Sequence, residues 1–188
     1  MLSEEYRLRT YSGDEMYEAH LKRAIPGQHP RMSGASGVTW DEVWMHQVEY
    51  LVAREFAFYR EEFELIVEDL LAMPTDKPIC AEGAALLPEC VSALGISPQC
   101  AIWIVPVEEF QRREYERREW VQGILAQCSQ PAQAWQNWMG RDSEFAREVT
   151  LQAERLGFRV LAVDGSHSVH SNARQVAAHF ALDRSYDA

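Results

Sequence analysis

A chain of 188 residues with 47% hydrophobic and 11% aromatic residues can bury a sizeable core, which excludes an intrinsically disordered polypeptide. Its net charge of −11 excludes a broad nucleic-acid-binding surface but leaves room for a local arginine cluster that holds a small anion. No apolar run approaches the roughly 20 residues of a membrane span, and the charged stretch LSEEYRLR after Met1 does not read as a signal peptide.

In chain order, residues 3–7 have the character of the last turn of a helix and run straight into a short strand at 8–12. Gly13-Asp14-Glu15 follows as a strand-end turn, and MYEAHLKRA is helical up to Pro26. Residues 26–38, with two Pro and three Gly, read as a loop. Thr39 and Glu42 have the spacing of a capping box, in which each side chain satisfies a free backbone N–H. From 40 to 73 there is no Pro or Gly, and Val43, Leu51, Phe58, Phe63, Ile66 and Leu70 recur near the helical period, so the segment is one long helix or two joined by a bend. Its glutamates and aspartates, among them Glu55, Glu61, Glu62 and Asp69, read as a solvated face.

PICAEG is an apolar run closed by Glu82 and Gly83, and AALLPECVSAL follows with helical spacing. A second run, CAIWIVP, opens into EEFQRREYERREW, an arginine-rich helix. A polar helix through Cys128 precedes QPAQAWQNWMG, and Ser143 then caps a helix closed by Gly157. FRVLAVDG is a further strand, 168–180 is helical, and the last residues read as a frayed tail. Alternating strands and helices predict an α/β fold, a parallel sheet sandwiched by helices, in one domain spanning 1–188. Cys80, Cys90, Cys100 and Cys128 show no C-x-x-C pairing; the first and third fall in predicted strands, so buried reduced thiols in a cytoplasmic protein are expected.

Ligands of open α/β sheets gather beyond the strands' carboxyl ends. Glu82 and the arginines at 112, 113, 117 and 118 therefore belong on one rim, able to handle a metal–phosphate substrate. Asp14 closes the preceding strand, with helix capping as its bland alternative; for the arginines that alternative is a solvated helix laced with Glu–Arg pairs. His167 and His170 are an i, i+3 pair without a third ligand, too little for a metal site.

AEGAALLPE, WIVPVEEFQRREYERREW, WQNWMGRDSEFAREV and VDGSHSVHSNARQVAAHF, in this order, resemble the P-loop small-molecule kinases, the adenylate-kinase-like group that includes nucleoside and shikimate kinases. The resemblance implies an ATP-dependent phosphotransferase of a small hydroxylated substrate, with ATP and Mg2+ as cofactors, neither nucleic acid nor membrane as partner, and oligomers possible. Asp14 and Glu82 would be catalytic around the acceptor hydroxyl, Arg113 and Arg117 on the transferring phosphoryl group, and Arg112, Arg118, Asp164 and Gly165 at the nucleotide, with 107–140 as a lid-like helical region. Arg141 and Asp142 would contact the lid or acceptor. The family's phosphate loop, G-x-x-x-x-G-K-[ST], is missing, since no glycine here precedes a lysine and Lys22 and Lys77 are the only lysines. The resemblance thus implies a chain without its first strand, phosphate loop and most of its first helix, impaired as a kinase. Strands beside the missing one would expose their edges and make the chain marginally soluble. A non-catalytic nucleotide- or metabolite-binding module, or a protein-interaction module using the long acidic helix, is the alternative.

Overall fold

A computed structural model describes residues 2–182, so the tail reading at 183–188 lies outside the described residues. A short helix α1 (Leu2–Glu5) leads into strand β1 (Arg9–Ser12), and helix α2 (Gly13–Arg23) starts immediately after it. Ser12 ends the strand and caps the helix, accepting from Glu15 N at 3.4 Å, so Asp14 sits in a first helical turn rather than in a free loop. Within the expected loop, α3 (Pro30–Ser33) forms because Glu61 accepts from Arg31 N at 2.9 Å and Met32 N at 3.0 Å, which satisfies its open amides and seats the fully buried Met32.

The 40–73 segment is two helices, α4 (Trp40–Trp44) and α5 (Val48–Ala72), broken at 45–47. The capping box on α4 forms as expected: Glu42 Oε2 accepts from Thr39 N at 2.7 Å, and Thr39 Oγ1 accepts from Glu42 N at 3.3 Å. Strand β2 (Ile79–Glu82) and helix α6 (Pro88–Ala93) follow, the helix shorter than its periodicity suggests because Pro88 can start but not continue one. After a 3-10 turn come β3 (Ile102–Pro106), α7 (Glu108–Glu116) and α8 (Glu119–Leu125). The expected arginine helix is therefore broken at Arg117 and Arg118, where the Arg118 side chain lies over the Tyr115 and Trp120 rings at 4.7 and 5.9 Å. Helix α9 (Pro131–Arg155) is continuous over 25 residues; Ser143 caps nothing and instead donates its Oγ to Glu108 at 2.9 Å. Strand β4 (Arg159–Val163) and α10 (Val169–His179) complete the described chain.

The two 25-residue helices, α5 and α9, are the frame. They run side by side in the same direction: Val48 packs on Gly140, Phe56 meets Phe145 at 4.8 Å between rings, and Phe63 shares a cluster with Ala153. A Cβ at Gly140 would come within 2.8 Å of Val48 Cγ2, so glycine is what lets the backbones approach here. Among the described residues no helix is long and apolar enough to cross a membrane.

All strands are paired in parallel, as an α/β reading expects, but they form two two-stranded sheets rather than one. β1 pairs with β2, Arg9 to Ile79 through Ser12 to Glu82, and β3 pairs with β4, Ile102 to Arg159 through Pro106 to Val163. β2 and β3 run in the same sense, against α5. After α5 ends at Ala72 the chain turns back, and Gly13, beside the end of β2, comes 3.6 Å from Ile66 Cδ1. Likewise β3 follows Ala101, which packs on the cluster of Phe63, and climbs to Trp103, which packs also on the cluster of Val52, Phe56, Leu87 and Val149.

The cysteine expectation is corrected in part. All four thiols are free, but Cys100 is exposed in the turn ahead of β3, and only Cys128 is fully buried. The solvated-face reading of α5 is also corrected, because Glu55, Glu61, Glu62 and Asp69 all have protein partners.

Candidate functional site

Between the two sheets lies a cavity of about 690 Å³. Ile79 and Ala81 of β2 form one wall, Ile102 and Ile104 of β3 the other, and Phe63 and Val149 of the helical frame lie behind them. The strands' carboxyl ends bring polar groups to one end, because the residues that follow each strand must turn away there. Asp14, Glu82, Gln111, Arg141 and Asp142 all line the same cavity.

Asp14 and Glu82 come together because β1 and β2 end in register, Ser12 opposite Glu82. Their turns touch through two glycines: a Cβ at Gly83, whose φ is +149°, would stand 3.2 Å from Gly13 Cα. Only glycine is at ease at that φ, and only glycines let the two chain reversals approach so closely.

Opposite them, Arg141 is nearly buried, its side chain 14% exposed, and lies over the Trp44 ring at 5.0 Å. It pairs with Glu55 and, 2.6 Å from Nε, with Asp142 Oδ1; Asp142 Oδ2 accepts from Gln111 Nε2 at 2.8 Å. The Nε–Asp142 approach is a charge contact without hydrogen-bond alignment. Arg141 Nε, like the nearby Trp44 Nε1, is thus a buried donor with no acceptor among the described residues. Burial disfavours the Arg141 charge, but Glu55 and Asp142 outweigh it and keep the guanidinium protonated. Asp142 is pushed up to about 6, mainly by burial, since Arg141 must also serve Glu55. Tyr59, lining the same cavity, is raised well above its ordinary value, first by burial and then by Glu55.

The four lid arginines are placed elsewhere. Arg112 bonds Glu108 at 2.8 Å, Arg113 and Arg117 reach Glu114 at 3.3 and 3.5 Å, and Arg118 lies on aromatic rings. None of them lines the cavity, although Gln111 and Tyr115 of the same helix do. Arg113 meets the turn after β4: a Cβ at Gly165 would come 2.9 Å from its Nη2. Asp164 beside it accepts from Ser166 N at 2.8 Å and Ser166 Oγ at 2.6 Å, bonds that lower its pKa. Tyr59, Gln111 and Tyr115, which line the cavity, and Glu55, which pairs with Arg141, escaped the reading from sequence. A signal existed for two of them, since Glu55, Tyr59, Glu62 and Ile66 fall on one helical stripe, and a stripe ending on a buried isoleucine is not a solvated one.

Among the described residues no group of three or more His, Cys, Asp or Glu side chains is placed to hold a metal ion. With no lysine after a glycine turn either, the residues present do not fit a nucleotide–metal centre. The chain matches no family model, no curated protein and no solved structure.

Proposed function

We propose that this chain carries the acceptor half of an ATP-dependent phosphotransferase, binding a small hydroxylated molecule at the polar end of the cavity between the sheets. The observation that carries the reading is the meeting of Asp14, Glu82 and the buried Arg141 in one cavity at the carboxyl ends of parallel strands. Asp14 accepts a hydrogen bond from the acceptor hydroxyl, Glu82 orients a neighbouring hydroxyl, and the unaligned Nε of Arg141 donates to an acceptor oxygen. The chain alone binds without turning over, because its sequence has no G-x-x-x-x-G-K-[ST] loop to cradle a triphosphate.

Calorimetric titration with nucleosides, sugars, aminoglycosides and shikimate-like acids tests this. Binding of one class is expected, weakened at least tenfold, about 1.4 kcal/mol, in both Asp14→Asn and Arg141→Lys. Absence of binding by every class refutes it. A second reading, a binding module that never catalysed, is favoured by the engagement of all four lid arginines with their own helix and its rings. An inactive mixture of this chain with a donor of the missing phosphate loop, despite acceptor binding, supports that reading.

A further inference from the structure

The apolar body of the cavity is bounded by two strand edges that no other strand among the described residues pairs. In a parallel ladder, alternate residues direct N–H and C=O to opposite sides. Arg9 N donates to Pro78 O at 2.9 Å, which assigns residues 78, 80 and 82 to the β1 side and turns Ile79 and Ala81 away from it. Val107 N donates to Val163 O at 2.9 Å, which assigns 103, 105 and 107 to β4 and turns Ile102 and Ile104 away. The cavity takes in Ile79, Ala81 and Glu82 of β2 and all of β3 from Ile102 to Pro106, so both of these edges border it.

Burial gives the same indication independently. Parallel strands are ordinarily covered on both faces, yet β2 and β3 contain no fully buried residue, and Ile104, at the centre of β3, is 55% exposed. Two same-sense parallel edges facing one apolar space have hydrogen-bond donors and acceptors to offer, which an apolar small molecule cannot take up and a polypeptide strand can.

We propose that this space is a slot for one extended polypeptide segment from outside residues 1–188, which inserts as a parallel strand between β2 and β3 and joins the two sheets into one. Its chemistry follows from the walls. Four to five residues match the lengths of β2 and β3, and they are apolar on both faces because helices cover one face and Ile104 stands ready on the other. Beyond its carboxyl end the segment meets Asp14, Glu82 and Asp142 with a single cation, Arg141, that is already shared by two carboxylates, so the residue that follows the strand is cationic. Among the described residues the chain's own apolar extended runs are all used in β1 to β4.

The probe is an acetylated peptide of five valines and isoleucines followed by glycine and two lysines, titrated into the intact chain. Saturable binding is expected, with hydrogen exchange slowed at least tenfold at the amides of Ile79, Ala81, Ile102 and Ile104. A peptide with proline at its centre, which cannot complete the ladder, binds at least tenfold more weakly, and so does one with glutamates in place of the lysines. Ile104→Lys, at an already exposed position, abolishes binding without lowering the Tm of the free chain. Absence of saturable binding overturns the proposal, equal binding of the proline peptide shows an apolar sink rather than a ladder and overturns it too, and protection of the same amides in a peptide-free dimer assigns the slot to a second copy and overturns the separate segment. The proposal is independent of phosphotransfer: these amides report on the slot whether or not any acceptor binds near Asp14.

Discussion

Two buried charge clusters hang from α5 within a few turns of each other, and only one of them is finished. Toward the carboxyl-terminal half, His20 is fully buried with Glu62 Oε1 3.0 Å from Nδ1 and Asp69 Oδ2 3.1 Å from Nε2; Tyr11 donates to the same Asp69 oxygen at 3.1 Å, and Arg23 engages its other oxygen. None of those side chains has an unpartnered buried atom. Burial works against the Asp69 charge, but hydrogen bonds from His20, Arg23 and Tyr11 prevail and lower its pKa; burial raises Glu62, partly offset by His20. The Arg141 cluster, near the other end of α5, opens on the cavity and leaves two donors without acceptors. A closed network specifies how helices pack, whereas an open one leaves hydrogen-bonding capacity for something else to use.

The largest effect that separates the two comes from Arg141→Leu. It strands Glu55 and Asp142 in a buried site, and denaturant unfolding should show a loss of about 3–5 kcal/mol. Next is the pH dependence of Asp142. Its pKa rises from 3.8 to about 6 on folding. The folded chain therefore holds a proton that the unfolded one releases, and the resulting stability is full below about pH 4 and lost as pH rises toward 6. At about 1.4 kcal/mol per pH unit this amounts to roughly 3 kcal/mol. Asp142→Asn should flatten that decline in stability curves measured from pH 4 to 7; an unchanged slope would place the titration elsewhere.

In the closed cluster, Glu62→Gln keeps an acceptor for His20 and removes a charge, so a smaller loss of about 1–2 kcal/mol is expected, with acceptor binding unaffected. A drop in acceptor affinity in that variant would erase the distinction between the clusters. Smallest is Thr39→Ala, about 1 kcal/mol in thermal unfolding. Its value lies in α4, which carries Trp44 under the Arg141 guanidinium; crystals of the variant should show Trp44 displaced from its stacking on Trp138, now 4.3 Å between rings.

Local signals were read well from sequence where the cause is local. The Thr39–Glu42 capping box, the strand-ending Glu82 and the Asp164-Gly165 turn are each set by residues a few positions apart. The failures have long-range causes. Ser143 has the composition of a cap, yet α9 runs through it because Phe145 and Val149 must keep their register on Phe56 and Val52. Glu61 looks solvated until Arg31 and Met32, some 30 residues earlier, bring their amides to it. For the site, the rim of strand ends was readable at Glu82, while Asp14 was set beside it only by the family resemblance. The choice of cation was not: charge density pointed to α7, while burial and a tryptophan bed single out Arg141, which no count of arginines reveals.

The contact of Val48 with Gly140 has a mechanical meaning. Val48 is the first residue of α5, so most of that helix, about 1.5 Å per residue along its axis, extends to one side of the contact. Because Phe56 on Phe145 and Phe63 with Ala153 hold the rest of the helix against α9, a Cβ at Gly140 cannot be accommodated by moving Val48 alone. Gly140→Ala should therefore wedge the first turn of α5 away from α9 and strain the aromatic contacts that follow it along the seam.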